Sequence, residues 1–528
     1  KEFGLMKVTK LQQSELDVIK HNDGLALYLT GLLSGRSATP QSSLYNIPGY
    51  IEKKADSILD AWLGQLRSLK TGTNFEQEVY QFDLAQLAKW GPQGEVAPIA
   101  QLLESHVFPT FATHEKPAAF STAEWSVAKD TVAKRLRAAG CRGLRPADYK
   151  SVVDDMRVRD TLESNAGWPL FTTRSKSQVV KESIKAAQDG RWKTYPAIAL
   201  FRNYNGKTRL VWMFPMSANL VEGSFFQPLQ SAIMRSNLAD SFYSPWKGFE
   251  AVRHLITEAY SKHEVVAASD FSATDEHFQL DATMEVYDVL ATCFQPQYRA
   301  SLKESLIHMH TIPLVIGPDS KIVGRHGVSS GSNWTNFIET VFDEIFAEYV
   351  ALKEHDKSGY AGFYAIGDDM SWRGKRYDAS FQQRLEEYGK EVGHEVKAEK
   401  TTNYPGKVKS LQRLFQAGYL RPDGQVRAVY STIRALHSAV QPEKRHRKRK
   451  NGVEIWNKDM NSVRLIMILE NCVDHPLFID FVKFFAKGDP YLVTFAKKKP
   501  SSIDEAHRKA KLIPGFNPTY NQERRDTK

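Results

Sequence analysis

The sequence predicts an α+β fold, and three stretches make the case. Residues 195–215 read as strand, turn, strand: YPAIALFRNY, then Asn205-Gly206, then KTRLVWMF. Asn-Gly between two apolar runs signals a tight hairpin, because both central residues of such a turn must accept positive φ. Residues 360–372, YAGFYAIGDDMSW, repeat the pattern around a Gly-Asp-Asp tip. Between the hairpins, residues 333–354 place Trp334, Phe337, Ile338, Val341, Phe342, Ile345, Tyr349 and Leu352 at spacings of three and four, the stripe of a helix with one buried face. Hairpins beside a long amphipathic helix predict an antiparallel sheet flanked by helices.

The other elements follow in chain order. Residues 51–106 carry helical apolar spacing, as in Ile58, Leu59, Trp62, Leu63 and Leu66. Around 107–120 the text FPTFATHEKPAAF is broken by prolines and reads as a connection. EVVAASD, at 264–270, is a short buried-strand pattern, followed by a helix through about Phe294. His308 and His310 alternate at strand spacing in IHMHTIPL, and without a third ligand they read as structural. Residues 498–528 are polar, rich in charge, Pro and Asn, and read as a tail with little to bury.

Composition narrows the function. The 528 residues are 42% hydrophobic, 11% aromatic and 25% charged, proportions of a globular protein rather than a disordered or fibrous one. At about 150 residues per domain they suggest three or four folding units. Cys141, Cys293 and Cys472 lie too far apart in sequence for a disulfide framework or a paired-cysteine zinc site, which fits a reducing, intracellular setting. No apolar run approaches the roughly 18–20 residues of a membrane helix and no apolar signal segment is visible, so membrane and secreted roles are set aside. Net charge is +10, and residues 441–528 hold 19 Lys and Arg against 11 Asp and Glu. That concentration suggests an anionic polymer as partner, since Lys and Arg displace counterions from phosphates. Its densest part, Lys444-Arg445-His446-Arg447-Lys448-Arg449-Lys450, reads as an RNA-facing loop, with a solvated loop or a nuclear-localisation patch as rivals.

The acidic residues that stand out are attached to apolar strands. Asp270 ends the run VVAAS, and Asp368 and Asp369 sit at the tip of the second hairpin. A carboxylate at the end of a buried strand is held rigidly and partly desolvated, which is costly unless it meets a cation. If the two elements are neighbours, their carboxylates converge, and two hard cations such as Mg²⁺ fit roughly 3.5–4 Å apart, the arrangement for in-line phosphoryl transfer. Gly-Asp-Asp alone is equally a plain turn, since Gly and Asp favour turns. A P-loop reading of Gly206-Lys207-Thr208 fails, because its first glycine would fall on Phe201 and no helix follows.

The turn has company. Asp270-Phe-Ser-Ala-Thr-Asp275 is followed by His326-Gly-Val-Ser-Ser-Gly-Ser-Asn-Trp-Thr-Asn336, which opens the long helix, and then by Gly367-Asp368-Asp369. In this order and spacing the set resembles motifs A, B and C of viral RNA-dependent RNA polymerases. Ser164-Asn-Ala-Gly167-Trp-Pro169 resembles motif G beside the template entrance, and Gly206-Lys207-Thr208-Arg209-Leu210 resembles motif F. Glu399-Lys400 after Gly393 is similar to motif D, and Lys409-Ser-Leu-Gln-Arg413-Leu-Phe415 to motif E. The seven motifs span 164–415, about half of the chain, and the wording around motifs F, A and B most resembles picobirnaviruses, a group with double-stranded RNA genomes and partitivirus-like relatives.

The resemblance implies roles. Asp270 and Asp368 would be metal ligands supported by Asp369, for two Mg²⁺ or Mn²⁺ ions. Asp275 would read the ribose 2′-hydroxyl with Ser330, Thr335 and Asn336. Where many relatives place asparagine four residues after the motif B threonine, this chain has Glu339, which leaves the sugar-selecting partner open. Lys207 and Arg209 alternate on one strand and would grip the incoming triphosphate, with Arg202 on the facing strand joining them. Ser164, Gly167, Pro169, Gly331, Lys409 and Arg413 would contact RNA, and Gly331 would let its loop shift during translocation. Lys400 would protonate departing pyrophosphate, with Lys397 as a rival.

The implied architecture is a closed right-hand polymerase of fingers, palm and thumb with an antiparallel-sheet palm. It would comprise an N-terminal extension bridging to the fingertips (1–60), fingers (61–252), palm (253–300 and 326–420) with an insertion at 301–325, thumb (421–497) and a tail (498–528) able to plug the product channel. The implied substrates are template and product RNA and ribonucleoside triphosphates. A capsid protein is the implied partner, the chain a monomer, and its place the virion interior and host cytoplasm. A reverse transcriptase would usually carry an aromatic steric gate near Asp275 and a Tyr-x-Asp-Asp turn, and this chain has neither. A non-catalytic RNA-binding or inner-capsid protein with a polymerase fold has no reason to keep Asp270, Asp368, Lys207 and Arg209 together.

Overall fold

From Val265 to Ser272 every side chain is buried except that of Asp270. Burial at consecutive positions, with the apolar Val265–Ala268 at its start, is what a strand covered on both faces shows. The computed structural model in which it lies describes residues 6–159, 161–397, 401–445 and 448–511. The chain divides into two units: Lys1–Gly35, Ala97–Phe201 and Arg209–Val408 form the first, and Arg36–Val96, Arg202–Thr208 and Lys409–Lys528 the second. Residues 61–252, read from the sequence as one finger domain, therefore contribute to both.

The strands of the first unit are β1 (Lys7–Lys10), β2 (Ala197–Tyr204), β3 (Lys207–Met213), β4 (Val265–Ser272), β5 (Leu314–Val315), β6 (Ser320–Val323), β7 (Ala361–Ile366), β8 (Asp369–Gly374), β9 (Glu395–Val396) and β10 (Thr402–Asn403), the tip of the β2–β3 hairpin belonging to the second unit. One sheet runs β1–β6–β5–β2–β3, and the other runs β9–β4–β8–β7, with β10 also paired to β4. At the first hairpin tip Asn205 and Gly206 both have positive φ, as the dipeptide predicts. At the second, only the first central residue, Gly367, does, the place where a II′-type turn takes glycine.

The helices of this unit include α1 (Ala123–Ala138), α2 (Met216–Met234), α3 (Leu280–Ala291), α4 (Arg299–Met309), α5 (Trp334–Lys353) and α6 (Phe381–Glu391), of which α5 and α6 pack on the second sheet and α1 and α3 pack on α5. The α5 stripe foreseen in the sequence is buried except at Leu352, which is 41% exposed, and burial extends to other faces of the helix, where Phe346 packs against Trp372 of β8 with ring centroids 5.9 Å apart. Trp372 also donates to Ser269 Oγ of β4 at 2.8 Å. Trp125 of α1 packs on Phe342 and Tyr349 of α5 and donates to Glu285 Oε1 of α3 at 2.9 Å, which fixes α5 from outside.

Two local readings are corrected. His308 and His310 lie at the end of a helix rather than on a strand. Leu302, Leu306 and Met309 supply helical spacing that overrides the short alternation. Both histidines are structural: His310 meets Thr283 Oγ1 at 2.6 Å and the carbonyl of His326 at 2.8 Å, and His308 packs on Trp192. Pro500–Lys511, read as tail, is a helix. Its Ala506 and Ala510 are buried in a cluster with Met460, Val463, Met467 and Phe495. A face built from alanines one turn apart buries little area and leaves no stripe to read. Residues 512–528 lie outside the described residues.

In the second unit, β11 (Lys407–Ser410), β12 (Arg413–Leu420) and β13 (Val426–Tyr430) form a sheet in that order. Trp62, on the helix Ala55–Leu66, packs on Phe481 and donates to Thr432 Oγ1 at 2.8 Å. Asp83 is fully buried, accepting from Ser431, Thr432 and the amide of Ile433, and lies 2.7 Å from His475 Nε2. Of the basic run at 444–450, His446 and Arg447 lie outside the described residues.

Candidate active site

Strand pairing brings the three acidic residues together. In the antiparallel ladder of β4 and β8, Asp270 stands opposite Asp369, and the amide of Phe271 donates to the carbonyl of Asp368 at 3.4 Å. One carboxylate oxygen from each of Asp270, Asp368 and Asp369 lies within 4.8 Å of the other two. Three half-buried carboxylates this close repel one another unless a cation lies among them, and their hard oxygen atoms suit Mg²⁺ or Mn²⁺. The donor set fits the ions expected from the sequence.

The turn that carries Asp368 is pinned from α5. Thr340 Oγ1 accepts from the amide of Gly367 at 3.0 Å and donates to the carbonyl of Asn336 at 2.7 Å. A β-carbon on Gly367 would lie 3.0 Å from Asn336 Nδ2 and 3.5 Å from Glu339 Oε2, so both side chains face the turn. Glu339 and Asp343, one helical turn apart, are buried. Burial first, and then neighbouring carboxylates including Asp368 and Asp369, hold both acids well above the ordinary carboxylate range. By sequence Glu339 is only a departure from the family pattern, and Asp343, followed by Glu344 on a helix that also carries Glu339 and Glu348, has no signal that sets it apart.

Asp275 lies on the short turn Thr274–His277, entered through Ala273 at positive φ. Its carboxyl is raised to about 7 by burial and then by Asp368, with Arg209 opposing. Arg209 is thus close enough to Asp275 to act on its charge. The loop before α5 lies against both neighbours: a β-carbon on Gly327 would fall 1.6 Å from the carbonyl oxygen of Asp275, and one on Gly331 1.6 Å from that of Trp212. Ser330 Oγ accepts from the Trp212 amide at 3.3 Å, and Thr335 Oγ1 donates to the carbonyl of Ser329 at 2.5 Å. Thr335 thus braces the loop, while Ser330 and Asn336 are exposed.

Residues 118–434 match the family model described as viral RNA-dependent RNA polymerase. The chain belongs to that family. The polymerase is 27% identical over 525 residues to the "Potential RNA-dependent RNA polymerase" of Human picobirnavirus (strain Human/Thailand/Hy005102/-), covering 94% of this chain and 91% of that one. It is 22% identical over 200 residues to the "RNA-directed RNA polymerase" of Cryptosporidium parvum virus 1 (strain KSU-1), 37% of this chain and 38% of that one. It is similar in fold to the crystal structure of the RNA-dependent RNA polymerase of a human picobirnavirus, with a TM-score of 0.78 and 23% identity over 95% of this chain and 94% of that one. The α+β right-hand fold and the RNA-directed RNA polymerase activity read from the sequence hold.

The other expected residues of the polymerase divide. Lys207 and Arg209 are exposed on alternate positions of β3 and so share a face. Arg202 instead makes a bidentate pair with Glu443, at 3.0 and 2.8 Å, and stacks on Tyr204. A guanidinium bound this way has its fork occupied by protein. Arg413, expected to touch RNA, is 1% exposed. It donates to the carbonyl of Leu411 at 2.8 Å and to Asn471 Oδ1 at 3.2 Å, and stacks on Tyr430, so its role is in the core. Lys409 is exposed and lies over Phe82. Ser164 is exposed, and Gly167 has φ 66° with its α-carbon against the Phe214 carbonyl, where a β-carbon would meet oxygen at 2.5 Å. Pro169 accepts from Asn22 Nδ2 at 3.3 Å through its carbonyl. Lys400 lies outside the described residues, and Lys397 is exposed, 3.9 Å from Glu395.

Proposed function

We propose that Asp270 and Asp368, supported by Asp369, hold two Mg²⁺ or Mn²⁺ ions, and that the polymerase adds ribonucleoside monophosphates to an RNA 3′-hydroxyl. The observation that carries this reading is the meeting of three carboxylates within 4.8 Å, two on facing strands and one in the turn between β7 and β8. When bound, such ions supply activation of the attacking hydroxyl and neutralisation of charge on the departing pyrophosphate. The protein's own groups do the rest. Arg209, with Lys207, orients the triphosphate through charge-assisted hydrogen bonds. Asp275 and Asn336 receive the ribose hydroxyls, Ser330 shapes the loop beside them, and Glu339, which faces the turn of Asp368, fills the place of the usual asparagine. Ser164, Gly167, Pro169, Gly331 and Lys409 line the RNA path, and Lys400 protonates the leaving group.

The kinship with a picobirnavirus polymerase supports a double-stranded RNA genome as the template. It also supports an enzyme that works as a monomer inside or attached to a capsid, in the virion interior and host cytoplasm. The palm and the thumb take the ranges read from the sequence, the fingers draw on both units, and the segment 498–528, helical at Pro500–Lys511, controls the product channel.

The test is incorporation of labelled ribo- and deoxyribonucleotides on a heteropolymeric RNA template with Mg²⁺, comparing wild type with Asp368→Ala. Template-dependent ribonucleotide incorporation lost in the variant supports the reading. A preference for deoxyribonucleotides, or activity that survives in Asp368→Ala, overturns it.

A further inference from the structure

A continuous chain of hydrogen bonds joins the loop beside Gly167 to the loop that opens α5. Arg174 Nε donates to the carbonyl of Asn165 at 3.1 Å, and its terminal nitrogen donates to Asn219 Oδ1 at 2.8 Å. Asn219 Nδ2 donates to Glu222 Oε1 at 2.9 Å and to the carbonyl of Gly331 at 3.2 Å. Glu222 Oε1 also accepts from the amide of Asn333 at 3.0 Å, and Oε2 accepts from the hydroxyl of Ser332. Ser332 Oγ in turn accepts from the amide of Trp334 at 3.1 Å, and Asn333 Nδ2 donates to the carbonyl of Asn219 at 3.3 Å.

Asn219 and Glu222 sit one turn apart on α2, 1% and 0% exposed. Burying an acid is costly, and the carboxyl of Glu222 is raised to about 7 by burial against the opposing pull of Ser332, Asn333, Asn219 and Arg174. Every donor it meets comes from Asn219 or from the Ser332–Asn333 segment of the loop. A leucine there would fill the core at less expense, so the acid's position is explained by what it holds. It holds the loop that carries Ser330 and Gly331 and the first turn of the helix that carries Asn336. Negative charge at a helix N-terminus also suits the helix dipole.

We propose that Glu222 and Asn219 are positioning residues that fix the sugar-reading loop Ser330–Asn333 and couple its shape to the template-side loop through Arg174. The proposal rests on the functional reading above, in which these two loops meet the incoming nucleotide and the template. When the loop near Asn165 moves, Arg174 pulls on Asn219, and Asn219 is the group that also holds the carbonyl of Gly331.

The test uses the full chain with Mg²⁺, an RNA template and single-nucleotide incorporation, reading kcat and KM for ribo- and deoxyribonucleotides separately. Glu222→Ala is expected to raise the ribonucleotide KM and to lower the ribo-over-deoxy preference at least about tenfold. Glu222→Gln, which keeps one acceptor for Asn333 and lets the Ser332 hydroxyl reverse, is expected to restore both within about threefold. Ser332→Ala cuts the contact from the loop side and is expected to shift the same ratio, which keeps the proposal testable if Glu222→Ala does not fold. Arg174→Ala and Ser332→Ala combined are expected to be less than additive. Lower activity with an unchanged ratio and KM means a merely structural role, and additive effects mean uncoupled loops; either overturns the proposal. If the wild type itself incorporates nothing, the functional reading fails instead.

Discussion

Asp270 and Asp369 stand directly opposite each other on neighbouring antiparallel strands, 99 residues apart in sequence. Like charges in facing positions of a sheet destabilise it. The pairing therefore marks a place where stability yields to chemistry. Asp270→Asn is expected to abolish nucleotide incorporation while leaving thermal stability in chelator equal to wild type or higher. Adding millimolar Mg²⁺ is expected to raise the melting temperature of wild type, on the order of 2 °C, and not that of the variant. Calorimetry with and without chelator decides this, and an equal Mg²⁺ shift in both proteins would show that Asp270 holds no ion.

Gly331 has no room for a side chain, because its β-carbon would lie 1.6 Å from the Trp212 carbonyl oxygen. Gly331→Ala is expected to fold, by circular dichroism, but with its loop displaced and kcat/KM lower by about 100-fold or more. Activity near that of wild type would mean that the loop has a second seat that supports the reaction.

Arg413 and Lys409 offer a direct contrast between buried and exposed cations on the same stretch. Arg413→Ala removes two hydrogen bonds and a stacked contact from the core and is expected to lower unfolding free energy by about 2–4 kcal/mol. RNA affinity measured below its melting temperature should not change. Lys409→Ala should leave stability alone, weaken RNA binding a few-fold and reduce the salt dependence by about one charge. Urea melts and fluorescence titrations at several salt concentrations separate the two.

Four buried histidines set an acid limit. Burial is the main cause that lowers His308, His310 and His394 to about 3 and His326 to about 4. The unfolded chain binds their protons near pH 6.5, so the stability they contribute is complete above that value. It is lost as pH falls from 6.5 toward the folded values, at up to about 1.4 kcal/mol per pH unit for each histidine. The urea midpoint is expected to drop steeply between pH 6.5 and 5. His394, whose ring nitrogens have no hydrogen-bond partner among the described residues and which packs against Phe271, Phe278 and Phe342, is the place to test it. His394→Phe should flatten the slope, and an unchanged slope would assign the acid sensitivity to other groups.

The elements that the sequence made legible are those whose cause is local. Asn205-Gly206 makes its turn because two adjacent residues tolerate positive φ. The stripe from Trp334 to Leu352 makes its helix because apolar side chains recur each turn. The order of the motifs was enough to expect the acidic trio. Four readings failed where the deciding neighbour was distant or the signal small: His308 and His310 on a helix, the alanine face of Pro500–Lys511, Arg413 in the core, and Arg202 paired with Glu443.

What the sequence alone determined is therefore the set of chemical groups and the short segments that present them. Only the tertiary structure decided which groups meet: Asp270 with Asp369, Arg202 with Glu443, Glu222 with Ser332 and Asn333. The physical reason is that a backbone conformation depends mostly on its near neighbours in the chain. The charge state and role of a carboxylate or guanidinium depend instead on burial and on partners that arrive from elsewhere. Glu339 shows the difference: a departure from the family pattern by sequence, and in the fold a buried acid facing the turn of Asp368, its carboxyl held well above the ordinary range by that burial.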